Sequence, residues 1–153
     1  MVAAGVQKPN LSTHSLRHTC AVLTDGTMRC WGANWYGQFG DGTTISSTTP
    51  IAVSGVSTAL SVAAGSSHTC AVLTDATMRC WGRNWSGQLG DGTTSDRLTP
   101  TAVSAMTTAT GVAAGSNHTC ARLSNGTARC WGYNGSGQLG NGTKDDSSTP
   151  VPV

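Results

Sequence analysis

Six cysteines carry the clearest chemical signal in this 153-residue sequence. They form pairs ten residues apart that recur every fifty residues, at Cys20 and Cys30, Cys70 and Cys80, and Cys120 and Cys130. Thiols spaced in this way can form disulfides, remain reduced as structural groups, or bind a metal ion. The pattern His-x-Cys-x9-Cys is not a usual zinc spacing and offers no fourth ligand. The spacing therefore favours three disulfides, and we predict no metal site.

The residues between the paired cysteines must bring the two sulfurs together, and they have the pattern of a β-hairpin. Thr24-Asp25-Gly26 is predicted as a three-residue loop, in which the third residue takes the left-handed conformation that Gly favours. This register sets Cys20 opposite Cys30, with Cβ atoms about 4.5–5.5 Å apart. Ala76 replaces the loop Gly in the second copy, and we expect that turn to be strained or altered.

The cysteine pairs belong to a longer repeat. The segment from His68 to Thr94 differs from the segment from His18 to Thr44 at only four positions, and a third copy begins at His118. Self-similarity at a fixed period indicates a solenoid, a propeller or an array. With 20 glycines and only 10% charged residues, the composition favours short strands and turns over helices.

Several function classes find no support in the sequence. The net charge is +2 and the basic residues are scattered, so we predict no nucleic-acid partner. No apolar run is long enough to span a membrane, and we predict no membrane insertion. The repeated His18, His68 and His118 have no carboxylate or serine repeating beside them, so we predict structural hydrogen bonds rather than catalysis, and no cofactor. The repeated Trp31, Trp81 and Trp131 are predicted to pack neighbouring units.

These landmarks resemble the RCC1-type repeat, named after the regulator of chromosome condensation. The resemblance covers nearly the whole chain and is clearest at Val62-Ala-Ala-Gly65, His68, Trp81-Gly82, Gly87-Gln-Leu-Gly90 and Thr99-Pro100. It implies an all-β fold of three four-stranded β-propeller blades. Because propellers have about four to eight blades, we expect another chain to complete the ring. The paired cysteines resemble those of secreted bacterial and extracellular members, which implies an extracellular or cell-surface location.

The predicted organisation is an N-terminal strand with a polar insertion (1–17), three repeats (18–50, 51–100 and 101–148) and a C-terminal strand (149–153). Thr149-Pro150 matches Thr49-Pro50, a segment that we expect to open the next blade. The C-terminus would then carry a strand with no blade after it, while the N-terminus would lack one. We therefore predict strand exchange between chains, carried by Val2, Ala3, Ala4, Pro150, Val151 and Val153.

Two functions are compatible with this organisation. The leading hypothesis is a structural protein that assembles head-to-tail with copies of itself into a ring or a filament. The alternative is a protein- or glycan-binding fragment of a larger secreted propeller. Binding residues are expected where the copies vary after Trp-Gly, because exposed Trp, Tyr and Arg are the usual anchors of interfaces. The candidates are Trp35, Tyr36, Arg83, Trp85 and Tyr133.

Overall fold

The computed structural model describes residues 2–4 and 17–153. The polar insertion predicted from Val6 to Arg17 lies outside these ranges except for Arg17. The described residues form twelve β-strands and no helix: β1 (Val2–Ala4), β2 (His18–Val22), β3 (Met28–Gly32), β4 (Ser47–Ala52), β5 (Ala59–Ala64), β6 (His68–Leu73), β7 (Met78–Gly82), β8 (Arg97–Ala102), β9 (Ala109–Ala114), β10 (His118–Leu123), β11 (Ala128–Gly132) and β12 (Ser147–Pro152).

The strands form three separate four-stranded antiparallel sheets, each in simple sequence order. We call them blade 1 (β1–β4), blade 2 (β5–β8) and blade 3 (β9–β12). The predicted all-β class and four-stranded blades are confirmed. Because successive strands run in opposite directions, the loops after β3, β7 and β11 lie at the same end of the blades as the β5–β6 and β9–β10 connections. We call this end the upper face.

The cysteine register predicted from the sequence is confirmed. Cys20 lies opposite Cys30 and Val22 opposite Met28, and all three cysteine pairs form disulfides. Gly26 has the predicted positive φ of 78°. Ala76 keeps the same turn with a φ of 60°, so the second blade retains the hairpin and accepts the strained conformation rather than altering the loop.

The assignment of the Thr-Pro segment to the next blade was wrong. Cys30 of β3 pairs with Ile51 of β4, and Cys130 of β11 pairs with Val151 of β12. The segment therefore closes its own blade, and the predicted boundaries at 50/51 and 100/101 fall inside β4 and β8. The reason is that the loop after Trp-Gly turns the chain back beside β3. Each Thr-Pro proline then lies in an edge strand, where its missing N–H is tolerated.

Both ends of the chain consequently have partners within their own blades. Val2, Ala3 and Ala4 pair with Ala21, Cys20 and Thr19 of β2. Pro150, Val151 and Val153 lie in or directly after β12, where Val151 pairs with Cys130 and the Val153 N–H donates to the Ala128 carbonyl. The premise of strand exchange, one unpaired strand and one missing strand, is removed.

The hydrophobic core lies between blades rather than within them. Met28 and Phe39 of blade 1 pack with Leu73 and Trp81 of blade 2. The same arrangement recurs one repeat later, where Met78 and Leu89 pack with Leu123 and Trp131. Blade 2 is thus covered on both faces, whereas blade 1 and blade 3 each have one face that no other described blade covers.

Candidate functional site

A polar network joins blade 1 to blade 2 beside the hydrophobic core. The Thr69 hydroxyl and the Trp81 indole N–H both donate to the main-chain carbonyl of Gln38, at 2.8 and 2.9 Å. The Thr69 hydroxyl oxygen also lies 2.7 Å from His18 Nε2. Because the single proton of the hydroxyl goes to Gln38, the imidazole must carry its proton on Nε2 and donate it to Thr69.

The same network joins blade 2 to blade 3. Thr119 and Trp131 donate to the Gln88 carbonyl, each at 2.9 Å, and His68 Nε2 lies 3.0 Å from the Thr119 hydroxyl. Burial lowers the pKa of His18 to about 4 and that of His68 to about 3, so both rings are neutral. The predictions of hydrogen-bonding histidines and blade-packing tryptophans are confirmed for the buried His18, His68, Trp81 and Trp131.

The two outer blades carry the unused halves of this network. Among the described residues, no hydrogen bond joins the Trp31 indole of blade 1 or the Gln138 main-chain carbonyl of blade 3 to another group. Leu23 of blade 1 is 40% exposed, whereas its equivalents Leu73 and Leu123 are 6% and 8% exposed. We call the surface around Leu23 and Trp31 the blade 1 end face.

The opposite surface, the blade 3 end face, lies around Cys120 and Gln138. Here Arg122 and Ala128 are exposed, although they occupy the positions of Val72 and Met78, which are buried between blades 2 and 3. The shorter Ala128 leaves a groove of about 300 Å³. The groove is lined by Gly111, Val112, Ala113, Cys120, Ala121, Arg122 and Ala128.

Three of the five predicted binding residues meet on the upper face. The Arg83 guanidinium carbon lies 3.8 Å from the centroid of the Trp85 ring and 5.1 Å from that of the Tyr36 ring. The two aromatic rings pack edge to face with centroids 5.9 Å apart. Trp85 is nevertheless 61% exposed. We call Tyr36, Arg83 and Trp85 the Arg83 platform; it bridges blade 1 and blade 2.

The other two candidates lie in the equivalent loops of the neighbouring blades. Trp35, which is 44% exposed, occupies in blade 1 the position of Trp85. Tyr133 is 41% exposed and follows β11 as Arg83 follows β7. Its hydroxyl lies against Gly135, the position that Trp85 holds in blade 2. Blade 3 therefore does not reproduce the platform, since it has neither the arginine nor the tryptophan.

Sequence reasoning missed the asparagine that shapes each upper loop. Asn84 is fully buried, and its Nδ2 donates to the carbonyls of Thr93 and Ser95 at 3.0 and 3.1 Å. Its Oδ1 accepts the Leu89 N–H at 2.9 Å. These bonds fold the loop that carries Trp85. The available signal was the recurrence of the same residue in Trp-Gly-x-Asn as Asn34, Asn84 and Asn134.

Within residues 2–4 and 17–153, no group of three or more His, Cys, Asp or Glu side chains is placed to hold a metal ion. In that same part of the chain, no helix is long and apolar enough to cross a membrane.

Two family models, both described as the regulator of chromosome condensation (RCC1) repeat, match this sequence. One covers residues 60–88 and 109–138. The other covers residues 25–72, 80–122 and 125–153, which is more than half of the chain. A comparison with curated proteins found no significant match.

Solved structures with the same fold include Prp20p from Saccharomyces cerevisiae, reported with its binding properties to Gsp1p and histones. It is 25% identical with a TM-score of 0.79, and the match covers 89% of this chain and 36% of that one. Yeast RCC1 (Prp20) bound to Kap60 matches at 25% identity and a TM-score of 0.77, over 89% and 35% of the two chains. Human WBSCR16 is similar in fold, with 24% identity, a TM-score of 0.79, and 89% and 37% covered. The chain spans about a third of the length of these structures.

Proposed function

The chain belongs to the RCC1 repeat family, and we propose that it is a non-enzymatic β-propeller protein that binds another protein in an extracellular compartment. Two of the structures it resembles are described with protein partners, Gsp1p and histones in one case and Kap60 in the other. Three disulfides support the setting, because disulfides persist in oxidising compartments and are rare in reducing ones.

The observation that carries the proposal is the Arg83 platform. Arg83 lies against two aromatic rings, so its planar guanidinium is oriented before any partner arrives, and less side-chain entropy is lost on binding. Among the described residues no carboxylate lies within ion-pair distance of Arg83. Its charge is therefore available to an acidic group of a partner, while the exposed Trp85 offers apolar area beside it.

Residues of these types dominate the energetics of protein interfaces. Trp, Tyr and Arg are enriched among the few positions whose truncation weakens binding most, typically by about 2 kcal/mol or more. The platform brings one of each within contact distance on an exposed surface. We propose that Trp35 and Tyr133, in the neighbouring loops of the same face, extend the contact area.

The test uses a protein partner purified from the extracellular fluid of the source organism, with affinity measured by isothermal titration calorimetry. Trp85→Ala and Arg83→Ala should each weaken binding at least tenfold. The control is Leu60→Ala, because Leu60 is 60% exposed but lies near the start of β5, at the end of blade 2 opposite the upper face. Equal affinity of both platform variants and the wild type would contradict the proposal, as would binding to glycans alone.

A second candidate function is assembly of the chain with copies of itself into a ring or a filament. The observation that favours it is that the two end faces carry complementary halves of one interblade contact, including the Trp31 indole on blade 1 and the Gln138 carbonyl on blade 3. Face-to-face packing of blades would replace the strand exchange expected from the sequence. A mass that rises with protein concentration in sedimentation velocity supports this function, and a constant monomer mass opposes it.

A further inference from the structure

We infer that the blade 3 end face is the docking site for the blade 1 end face of a second copy of this chain, in the arrangement that joins blade 1 to blade 2 within one copy. This inference rests on the proposed self-association and names its surface. The occupant is a second copy because the contact would continue an interface that the molecule already forms twice.

The hydrogen-bonding groups of the two end faces match. Within the chain, a Gln carbonyl accepts from the Thr and the Trp of the following blade. On the blade 3 end face, the Gln138 carbonyl lacks such donors among the described residues. The blade 1 end face offers Thr19 and Trp31, the equivalents of Thr69 and Trp81. In the docked pair, His118 Nε2 would donate to Thr19 of the second copy, as His68 does to Thr119.

The backbone of blade 3 also provides a seat for the incoming indole. A Cβ atom at Gly40 or at Gly90 would lie 2.7 Å from the indole nitrogen of Trp81 or Trp131, so each ring rests directly on a glycine. Gly140 is the equivalent residue of blade 3, and it is exposed. Within residues 2–4 and 17–153, the only side chain near its Cβ position is that of Val153. The seat for Trp31 is therefore covered by the Val153 side chain, which is 64% exposed and must move aside when the indole docks.

Blade 1 carries the residue types that the equivalent sites bind within the chain. Blade 2 presents Ala71, Leu73 and Trp81 to blade 1. Blade 3 presents the same residue types to blade 2. Blade 1 carries Ala21, Leu23 and Trp31 at these positions, and its sequence from His18 to Thr44 differs from that of blade 2 at four positions only.

The blade 3 end face differs from the internal pattern most clearly at Arg122 and Ala128, and these differences weaken docking. Docking would cover Arg122 where blades 1 and 2 have a valine, and would leave part of the 300 Å³ groove beside Ala128 unfilled. An uncompensated charge and an unfilled cavity both weaken packing. We therefore expect reversible association that is weaker than the internal contacts between blades. Restoring the internal residue types at positions 122 and 128 should strengthen this association.

The experiment is sedimentation velocity on the intact, disulfide-bonded chain over a range of concentrations. Leu23→Glu damages only the blade 1 end face, and Ala128→Glu damages only the blade 3 end face. Both sites are exposed in the single chain, so both variants should fold, which circular dichroism verifies. Each variant alone should be monomeric. An equimolar mixture should form a heterodimer, because one intact face of each type remains. Leu60→Glu is the control, because Leu60 is exposed in β5 of blade 2 and belongs to neither end face, and it should associate like the wild type.

A gain-of-association variant complements the disruptive ones. Arg122→Val with Ala128→Met gives blade 3 the residue types that blades 1 and 2 hold at the interface. We expect association at least tenfold tighter than that of the wild type. Adding Leu23→Glu should abolish the gain, and a gain that survives this third substitution would show non-specific hydrophobic association and overturn the assignment.

Self-association and the docking site can fail separately in these measurements. A wild-type chain that stays monomeric at every concentration overturns both self-association and the docking site. Association that persists in Leu23→Glu and Ala128→Glu overturns the docking site alone, since another surface would then join the copies. Monomeric single variants whose mixture also stays monomeric overturn the head-to-tail arrangement.

Discussion

The imidazole of His68 is fully buried between blades 2 and 3, with its Nε2 3.0 Å from the hydroxyl of Thr119. Its Nδ1 is also buried and has no hydrogen-bond partner among the described residues. Protonation at Nδ1 would therefore place an unpaired positive charge in the interface. His18 has the same geometry one blade earlier, with Nε2 2.7 Å from Thr69.

We predict that the free energy of unfolding falls when the pH drops below about 6.5. Burial, reinforced by the neighbouring His18 and His118, lowers the pKa of His68 to about 3, and burial lowers that of His18 to about 4. The unfolded chain then binds protons that the folded chain does not bind, so stability is fully present above pH 6.5 and is lost towards pH 4. Urea unfolding at pH 7.5 and pH 5 should differ by roughly 2 kcal/mol for each buried histidine.

The control for this pH dependence is His118→Gln, since His118 is only partly buried. That variant should keep most of the difference between the two pH values. A difference below about 1 kcal/mol in the wild-type chain would show that the two buried rings do not govern acid stability.

The indole N–H of Trp81 gives a second prediction. Trp81→Phe removes a hydrogen bond of 2.9 Å and part of a fully buried ring, so it should lower the free energy of unfolding by about 1–2 kcal/mol. Trp31→Phe is the matched control, because the Trp31 N–H has no partner in the described part of the monomer. It should change stability by less than about 0.5 kcal/mol. Equal losses in dilute urea titrations would refute the assigned roles.

The turn at Ala76 gives a third prediction. Its φ of 60° lies in the left-handed region, where a residue with a Cβ atom is strained by roughly 1–2 kcal/mol. Ala76→Gly should therefore raise the melting temperature, although the added flexibility of the unfolded chain offsets part of the gain. Gly126→Ala should lower it by strain alone, because a Cβ there meets nothing within 4 Å.

Among these turn variants, Gly26→Ala should lower the melting temperature most. A Cβ at Gly26 would lie 2.6 Å from the Ser57 carbonyl oxygen, so Gly26→Ala adds a steric clash to the strained φ. The expected order of melting temperatures is Ala76→Gly, wild type, Gly126→Ala and Gly26→Ala. Any other order would mean that φ at these turns does not govern the effect.

The disulfides give a fourth prediction. Cys70 and Cys80 are 0% exposed and lie in the blade that is covered on both faces, whereas Cys120 is partly exposed on the blade 3 end face. Under limiting reductant, Cys120–Cys130 should open first and Cys70–Cys80 last, as read by alkylation and mass spectrometry. Because each bridge closes a short loop, its loss should destabilise the chain by about 3 kcal/mol. Simultaneous reduction of all three would contradict the expected order.

The hairpins and blades were predictable because their signals are local. Two cysteines ten residues apart and a Gly at the third loop position determine one register, and the structure has it. The pairing of the Thr-Pro segment was not predictable, because Ser47–Ala52 is a polar edge strand with no face that must be buried. Its partner is decided by residues 33–46, a loop folded around the buried Asn34.

The Arg83 platform shows the same limit at a longer range. Tyr36, Arg83 and Trp85 stood out individually as variable positions in a constant frame. Their stacking depends on the relative placement of two blades, which no periodicity of the sequence contains. The complementarity of the end faces likewise depends on contacts between blades, those of His18, Gln38, Thr69 and Trp81, whose partners the repeat period does not reveal.

The local register of the cysteines has a consequence for biosynthesis. Six cysteines in three similar contexts can pair in many incorrect ways, and near-identical repeats would make a long-range error hard to distinguish from the native link. Here every sulfur finds its partner within one hairpin, at a sequence separation of ten. Oxidation can therefore proceed repeat by repeat on the growing polypeptide, before any blade docks on another. Duplication of the fifty-residue unit would then lengthen such a protein without increasing its dependence on disulfide isomerisation.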